Sequence, residues 1–220
     1  MRDFVAVSQR VDDMRSNEER RDSLDRRVVL FLKAVGLIAL PVPNNLFDLL
    51  DSEERVSPLE SFLRRTLPIA VLLSGGNDIG EYEERDITEY QLLDYAEKYK
   101  LPVLGICRGM QLMATRAGAK LRRVSDHVQT RHKVDGIITA EVNSYHNYAI
   151  DNCPKYHTIL AKSQDQTIEA IQHDWLPWEG WMWHPEREIK FAKNDIDRAG
   201  VLLRTNQKDI KNQKIQFINF

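Results

Sequence analysis

Short apolar runs alternate with charged, helix-spaced stretches along the first half of the chain. Phe4–Val7, Leu37–Val42, Ile69–Leu73 and Leu101–Ile106 are apolar runs of strand length; the second is stopped by Pro41 and Pro43, and Pro102 stands near the start of the last, where a strand tolerates it. Between them the pattern predicts helices from about Arg20 to Ala34 (closed by Gly36), Pro58 to Arg65, Ile87 to Tyr99 and Arg108 to Gly118. The densely charged stretch from Met14 to Arg27 reads as a solvated helix face. Beyond Gly118 the rhythm changes. Residues 121–132 read as irregular, and His132 to Asn143 alternates as a strand. Short strands follow at Thr158–Ala161, Thr167–Gln172 and Gly180–Trp183, then a helix from Lys190 to Arg204 and an apolar-ended tail, Lys214 to Phe220. Strands that first alternate with helices and then cluster predict an α/β fold, with a mostly parallel sheet, helices on both faces and a small antiparallel excursion. Neither a repeat nor a low-complexity segment divides the chain, so one domain over residues 1–220 is expected.

Polar residues gather where these strands end. Ser8-Gln9-Arg10 follows the first, and Ser74-Gly75-Gly76-Asn77-Asp78 follows the third, its paired glycines letting backbone N–H groups converge on a ligand. Cys107 stands at the corner between Leu101–Ile106 and the next helix, with Gly105 and Gly109 two residues to either side. This is the G-x-nucleophile-x-G spacing of a strand-to-helix elbow. The first free N–H groups of the helix there favour a thiolate and can hold an oxyanion. A free thiol has a pKa of about 8.5 and needs a base, and a histidine base needs an acceptor on its other nitrogen. His184-Pro185-Glu186, at the end of the last predicted strand, supplies both groups.

Composition narrows the chemistry mainly by exclusion. The 31 basic and 33 acidic residues leave a net charge of -2, which provides no field for a nucleic acid polymer or an anionic membrane. No apolar run has the length of a membrane span, and Met1–Arg10 lacks a signal-peptide core, so a cytoplasmic protein is expected. Cys107 and Cys153 form no metal framework; Cys153 reads as a half-buried thiol that does not pair with Cys107. His127 and His132, five apart, lack a third ligand in the sequence nearby and read as a polar loop cluster, so no metal and no organic cofactor is expected. His157 and His173 read as surface residues. The four tryptophans between Trp175 and Trp183 read as packing around the last strand, with stacking on a leaving group as the alternative.

Together, Gly75-Gly76, Gly105-Ile106-Cys107-Arg108-Gly109-Met110-Gln111 and Trp183-His184-Pro185-Glu186 resemble the class I glutamine amidotransferase superfamily, over about residues 69–188. Arg85-Asp86 with Glu89, and Asn143-Ser144-Tyr145-His146, resemble its γ-glutamyl hydrolase branch, peptidase family C26. The resemblance implies a flavodoxin-like three-layer α/β/α fold. It also implies a triad of Cys107, His184 and Glu186, an oxyanion hole from the backbone N–H groups of Gly76 and Arg108, and a γ-glutamyl site at Gly75, Gln111, Ser144, Tyr145 and His146. Longer strings, including Ser8-Gln9-Arg10, Glu18-Glu19-Arg20, Asn143 to Ile150, Ile168-Glu169-Ala170 and Met182 to Glu188, are similar to the branch that hydrolyses γ-glutamyl-CDP-amidate. The expected partner is then a small γ-glutamyl substrate, a nucleotide conjugate among them. Arg20 or Arg21 near the mouth is a phosphate contact in that reading. A glutaminase subunit serving a separate synthetase, a hydrolase of another γ-glutamyl amine and an inactive binding protein remain the alternatives. Only Ile79–Glu84 separates Gly75-Gly76-Asn77-Asp78 from Arg85-Asp86. A loop this short is expected to leave the acyl site open to a large leaving group.

Overall fold

The computed structural model describes residues 3–14, 19–46 and 57–205. The first half follows the alternation of the sequence: β1 (Phe4–Ser8), β2 (Arg10–Met14), β3 (Glu19–Ser23), α1 (Arg26–Val35), β4 (Ile38–Val42), α2 (Pro58–Thr66), β5 (Ala70–Leu73), α3 (Glu83–Tyr99), β6 (Val103–Ile106) and α4 (Arg108–Arg116). The caps explain several boundaries. Asp25 accepts the Arg27 N–H at the start of α1, Ser57 accepts the Glu60 N–H at the start of α2, and Gly36 ends α1 at φ +80°. The second half holds β7 (Leu121–Arg123), β8 (Val128–Gly136), β9 (Ala140–Tyr145), β10 (Tyr148–Ile150), β11 (His157–Ser163), β12 (Ile168–His173), β13 (Trp178–Trp181) and α5 (Lys193–Leu203).

Nine strands form one sheet in the order β4-β1-β5-β6-β13-β12-β11-β8-β9. The pairs from β4 to β13 are parallel, and those from β13 to β9 are antiparallel. β13 is therefore the seam, parallel to β6 on one side and antiparallel to β12 on the other. α1 and α5 cover one face around Phe31, Leu32 and Leu203, and α2 and α3 cover the other around Leu59, Leu63, Leu92 and Leu93. Each of these side chains is fully buried, which is worth about 1.5–3 kcal/mol apiece. This is the expected three-layer α/β/α arrangement. Chain order runs from β1 outward to β4 and then back to β5 on its other side. That reversal is a topological switch point, where the carboxyl ends of an open α/β sheet form a crevice.

Three expectations change. Glu19–Ser23 is a strand rather than the start of α1, because it pairs antiparallel with Arg10–Met14 and the helix begins only after Asp25 supplies a cap. Tertiary pairing overrides a good helical composition there. Residues 121–132 are not irregular but contain β7 and the start of β8, hidden in the sequence because one face of β8 is wholly exposed and the other sets Thr130 and His132 between Val128 and Val134, so its apolar alternation is weak. His132 to Asn143 is two strands, turned after Gly136 at φ +144°. Glu18 and the tail from Lys214 lie outside the described residues.

Candidate active site

The carboxyl ends of β1, β5, β6 and β13 converge. Cys107 follows β6 directly and caps α4 with φ +51° and ψ -103°, a strained conformation for a residue with a side chain. Its neighbours over-determine that corner. The Cys107 N–H donates to the Trp181 carbonyl at 2.7 Å. A Cβ on Gly109 would stand 2.4 Å from the Leu73 carbonyl oxygen, and one on Gly105 2.6 Å from Met113 Sδ. The two glycines thus let α4 press against β5 and β6, and the thiol projects where the unpaired N–H groups of the first helical turn begin, at Arg108.

His184 lies just past β13, buried beside Cys107. Its Nδ1 lies 2.7 Å from Glu186 Oε1, across a single 3-10 turn at Pro185–Arg187. Burial by itself would lower the His184 pKa, but the Cys107 sulfur and then the Glu186 carboxylate outweigh it and raise the value to about 9. His184 is thus held as an imidazolium with a sulfur beside it and a carboxylate behind. Asn143, on β9, clamps the backbone of the same residue: its Oδ1 accepts the His184 N–H at 2.9 Å and its Nδ2 donates to the His184 carbonyl at 2.8 Å. The Tyr145 ring stands edge-on to His184 at 5.7 Å. Gly75 is necessarily glycine, since a Cβ there would lie 2.6 Å from His184 Cε1.

A buried charge cluster sets the glycine loop. Arg85 Nη2 donates to the carbonyls of Ser74 and Gly75, both at 2.9 Å, while its Nε bonds Glu89 Oε1 at 3.2 Å. Arg108 contacts Glu89 and Asp86. A trans peptide directs its N–H opposite to its C=O, so drawing the Gly75 carbonyl to Arg85 turns the Gly76 N–H away from Arg85. Burial lowers Arg85 to about 10 and Arg108 to about 9, leaving both charged at neutral pH. The other side of the loop is not open, contrary to the expectation from its length. Asn77 pairs through both amide atoms with the backbone of Val11 at 2.9 and 3.0 Å, and Arg20 reaches Glu84 at 3.5 Å, so the β2–β3 hairpin lies beside it. A narrow pocket remains, with Arg10, Gly75, Gly76, His184 and Arg187 in its wall.

The residues expected to hold the γ-glutamyl group do not all face this pocket. Gln111 is buried one turn along α4, its Nε2 donating to the Tyr148 carbonyl at 2.8 Å. Ser144 is buried, with Oγ donating to the His127 carbonyl at 2.7 Å. Tyr145 is exposed at 37% and carries the Arg187 guanidinium 4.6 Å above its ring. His146 turns inward to His127 and the Tyr148 carbonyl, so its side chain is spent within the fold. The expectation of a polar loop pair at His127 and His132 also changes: His132 is in β8, and both approach Glu169. Cys107 and Cys153 are free thiols, as expected, but Cys153 is exposed rather than half-buried. His157 and His173 are half-buried and stack edge-on at 4.8 Å. Trp181 and Trp183 stack within the core, as the packing reading requires, while Trp175 is exposed. Asn143, Arg85, Asp86 and Glu89 were visible only as parts of motif strings; apart from the i,i+4 pair of Arg85 and Glu89, their roles follow from contacts no local spacing encodes.

The class-I glutamine amidotransferase family matches residues 51–201. The chain belongs to that family. Among curated proteins it is 36% identical over 129 residues to the γ-glutamyl-CDP-amidate hydrolase of Campylobacter jejuni, a match spanning 54% of this chain and 62% of that protein's length. It is 29% identical over 170 residues to a glutamine-hydrolyzing GMP synthase subunit of Methanocaldococcus jannaschii, spanning 73% of this chain and 81% of the relative. Its fold matches a crystal structure described as a GMP synthase subunit from Thermoplasma acidophilum, with TM-score 0.65, 23% identity, and coverage of 96% and 98% of the two chains. Among the described residues, no helix is long and apolar enough to cross a membrane.

Proposed function

We propose that this chain is a cysteine hydrolase that cleaves a γ-glutamyl amide and releases L-glutamate through a thioester. The observation that carries the reading is the coupling of His184 to Cys107 on one side and to Glu186 on the other, at the ends of adjacent parallel strands. The Cys107 thiolate attacks the γ-carbonyl, and the N–H groups of Gly76 and Arg108 hold the resulting oxyanion. The His184 imidazolium donates its proton to the departing nitrogen as the C–N bond breaks. Neutral His184 then takes a proton from water, which attacks the thioester and frees glutamate and the thiolate. Glu186 keeps the imidazole oriented throughout. Gln111 and the Ser144–His146 segment shape the wall around the glutamyl group, the segment through its backbone and Tyr145 alone.

Arg10 and Arg187 favour an anionic leaving group. They stand in the same pocket wall as Gly76 and His184, where Arg10 also meets Asp12 at 2.9 Å at an exposed site, Arg187 lies 3.9 Å from Glu186, and Asp25 is engaged as the cap of α1, so an anion would compete with Asp12 for Arg10. Two guanidiniums suit a diphosphate and disfavour a polyamine. This supports γ-glutamyl-CDP-amidate as the substrate and cytidine diphosphoramidate, a capsule precursor, as the product. The kinship with glutamine-hydrolyzing GMP synthase subunits favours a second reading, a glutaminase that supplies ammonia to a separate synthetase.

Glutamate release by the purified protein decides between them, with γ-glutamyl-CDP-amidate, L-glutamine and γ-glutamyl-aminobutyrate compared by kcat/KM. The expected result is a preference of roughly a hundredfold or more for the nucleotide, with a loss of about 10⁴-fold or more in Cys107→Ala. Preference for γ-glutamyl-aminobutyrate would keep the mechanism and reject the nucleotide. Weak turnover of glutamine alone would favour the synthetase reading, and full activity in Cys107→Ala would reject the mechanism.

A further inference from the structure

Beyond the seam strand, the antiparallel half of the sheet buries a cluster that the proposed chemistry does not use. His127 precedes β8, His132 is in β8, His146 follows β9 and Glu169 is in β12. Glu169 Oε1 lies 3.5 Å from His127 Nδ1, 3.4 Å from His132 Nε2 and 3.6 Å from His146 Nε2, and His127 Nδ1 lies 3.2 Å from His146 Nε2. Glu169 is fully buried, yet neither of its carboxylate oxygens has a hydrogen-bond partner, and neither does His132 Nε2. Three imidazole nitrogens surround one carboxylate oxygen without bonding it pairwise.

The partners on the outer nitrogens fix the tautomers. His127 Nε2 is 2.9 Å from the Asp165 carboxylate and His146 Nδ1 is 3.1 Å from the Tyr148 carbonyl. Both outer atoms are acceptors, so each ring carries its proton on that outer nitrogen. The inner nitrogens, His127 Nδ1 and His146 Nε2, then present lone pairs to each other and to a carboxylate, an arrangement that repels itself without a cation at its centre. The spacing suits one. Four ligand atoms about 2.0–2.1 Å from a tetrahedral zinc lie about 3.3–3.4 Å from one another, close to the four separations above; the nitrogens of His127 and His132 lie within 4.8 Å, so His132 would draw in as the ion binds. Acceptors on the outer nitrogens are also what metal-bound histidines characteristically have.

We propose that His127 Nδ1, His132 Nε2 and Glu169 Oε1, which cluster as metal ligands would, form with His146 Nε2, 3.6 Å from Glu169 and 3.2 Å from His127, a tetrahedral site for one divalent cation, zinc being the ion that three imidazoles and a carboxylate suit best. Four protein ligands leave no open position, so the site is structural. It ties β8, the β9–β10 turn and β12 into one unit. It also reaches the candidate active site indirectly: Tyr145, next to His146, rests on the His184 ring, and the Glu169 carbonyl accepts the Met182 N–H at 2.7 Å, two residues before His184. The inference is independent of the substrate reading.

Metal analysis and cobalt spectroscopy on untagged protein test it. We expect close to one zinc per chain retained through gel filtration, a fall in Tm when a chelator removes it, and recovery on adding zinc. Co²⁺ added to the chelated protein should give the intense visible absorption of a tetrahedral site, saturating at one equivalent and without a thiolate charge-transfer band. Cys107→Ser should retain that spectrum, and Glu169→Gln and His132→Ala should lose it. The wild-type cobalt titration stands even where a variant fails to fold. No tetrahedral spectrum together with a zinc-insensitive Tm would overturn the proposal in favour of protons shared within the cluster. A charge-transfer band abolished by Cys107→Ser would overturn it by moving the cation to Cys107.

Discussion

Arg85, Asp86, Glu89 and Arg108 make one buried polar cluster, on the parallel side of the crevice; His127, His132, His146 and Glu169 make another, on the antiparallel side. The first contains two cations and two anions, and its carboxylates meet guanidiniums directly. The second sets a carboxylate and imidazole lone pairs against one another. A neutral set of fixed charges is complete when the chain folds and can serve as scaffolding, here for the Ser74–Gly76 loop. A set of converging acceptors is completed only by something added. Burial alone does not distinguish the two, since both contain groups wholly out of solvent; the balance of donors and acceptors does.

The largest effect should come from unbalancing the first cluster. Glu89→Gln keeps the volume but strips the carboxylate shared by both arginines, and should lose about 3–5 kcal/mol of stability, read from urea unfolding near neutral pH. A loss under about 1 kcal/mol would show that solvent or a relaxed neighbour replaces it. Next comes Arg85→Met, which frees the Gly75 carbonyl. If Gly76 serves the oxyanion as proposed, kcat should fall about 10²–10³-fold with KM little changed; a raised KM with kcat unchanged would assign Arg85 to binding instead.

The seam between the clusters has its own pH signature. The folded His184 pKa, about 9, lies above the free value of 6.5. Its contribution to stability is therefore complete below pH 6.5 and is lost as pH rises through about 9. In Cys107→Ala the raising influence of the sulfur is gone, so the fall over this window should flatten; an unchanged slope would assign the shift to Glu186. The smallest effect is expected from Asn143→Ala, which loosens the His184 backbone from the antiparallel side. We expect a roughly tenfold loss in kcat with the fold retained, as judged by circular dichroism. No change would mean that Pro185 and the Glu186 contact suffice to hold the ring.

Legibility in the sequence followed the range of the interactions. The elbow was readable because Gly105, Cys107 and Gly109 act within five residues, and His184 with Glu186 because two residues separate them. Three-layer packing was readable because periodicity reports which side of an element is apolar. By contrast, β3 looked helical by composition and became a strand through its pairing with β2. His146 sat in a string that resembled a substrate-binding segment, yet its ring turns inward to a histidine nineteen positions earlier. Glu169 lies far from His127 and His132 along the chain, and only the placing of β12 one strand from the seam brings it to them.

The sequence by itself determined the strand-to-helix corner that carries Cys107, the histidine–carboxylate pair, and a parallel core with helices on both faces. These depend on backbone sterics and on the apolar period, which are local properties. Tertiary structure alone decided which carbonyls Arg85 draws aside, which backbone Asn143 clamps and which four side chains meet beyond β13. Those contacts depend on strand order and register, and a register is set by the summed packing of whole strands, which no short stretch of residues contains.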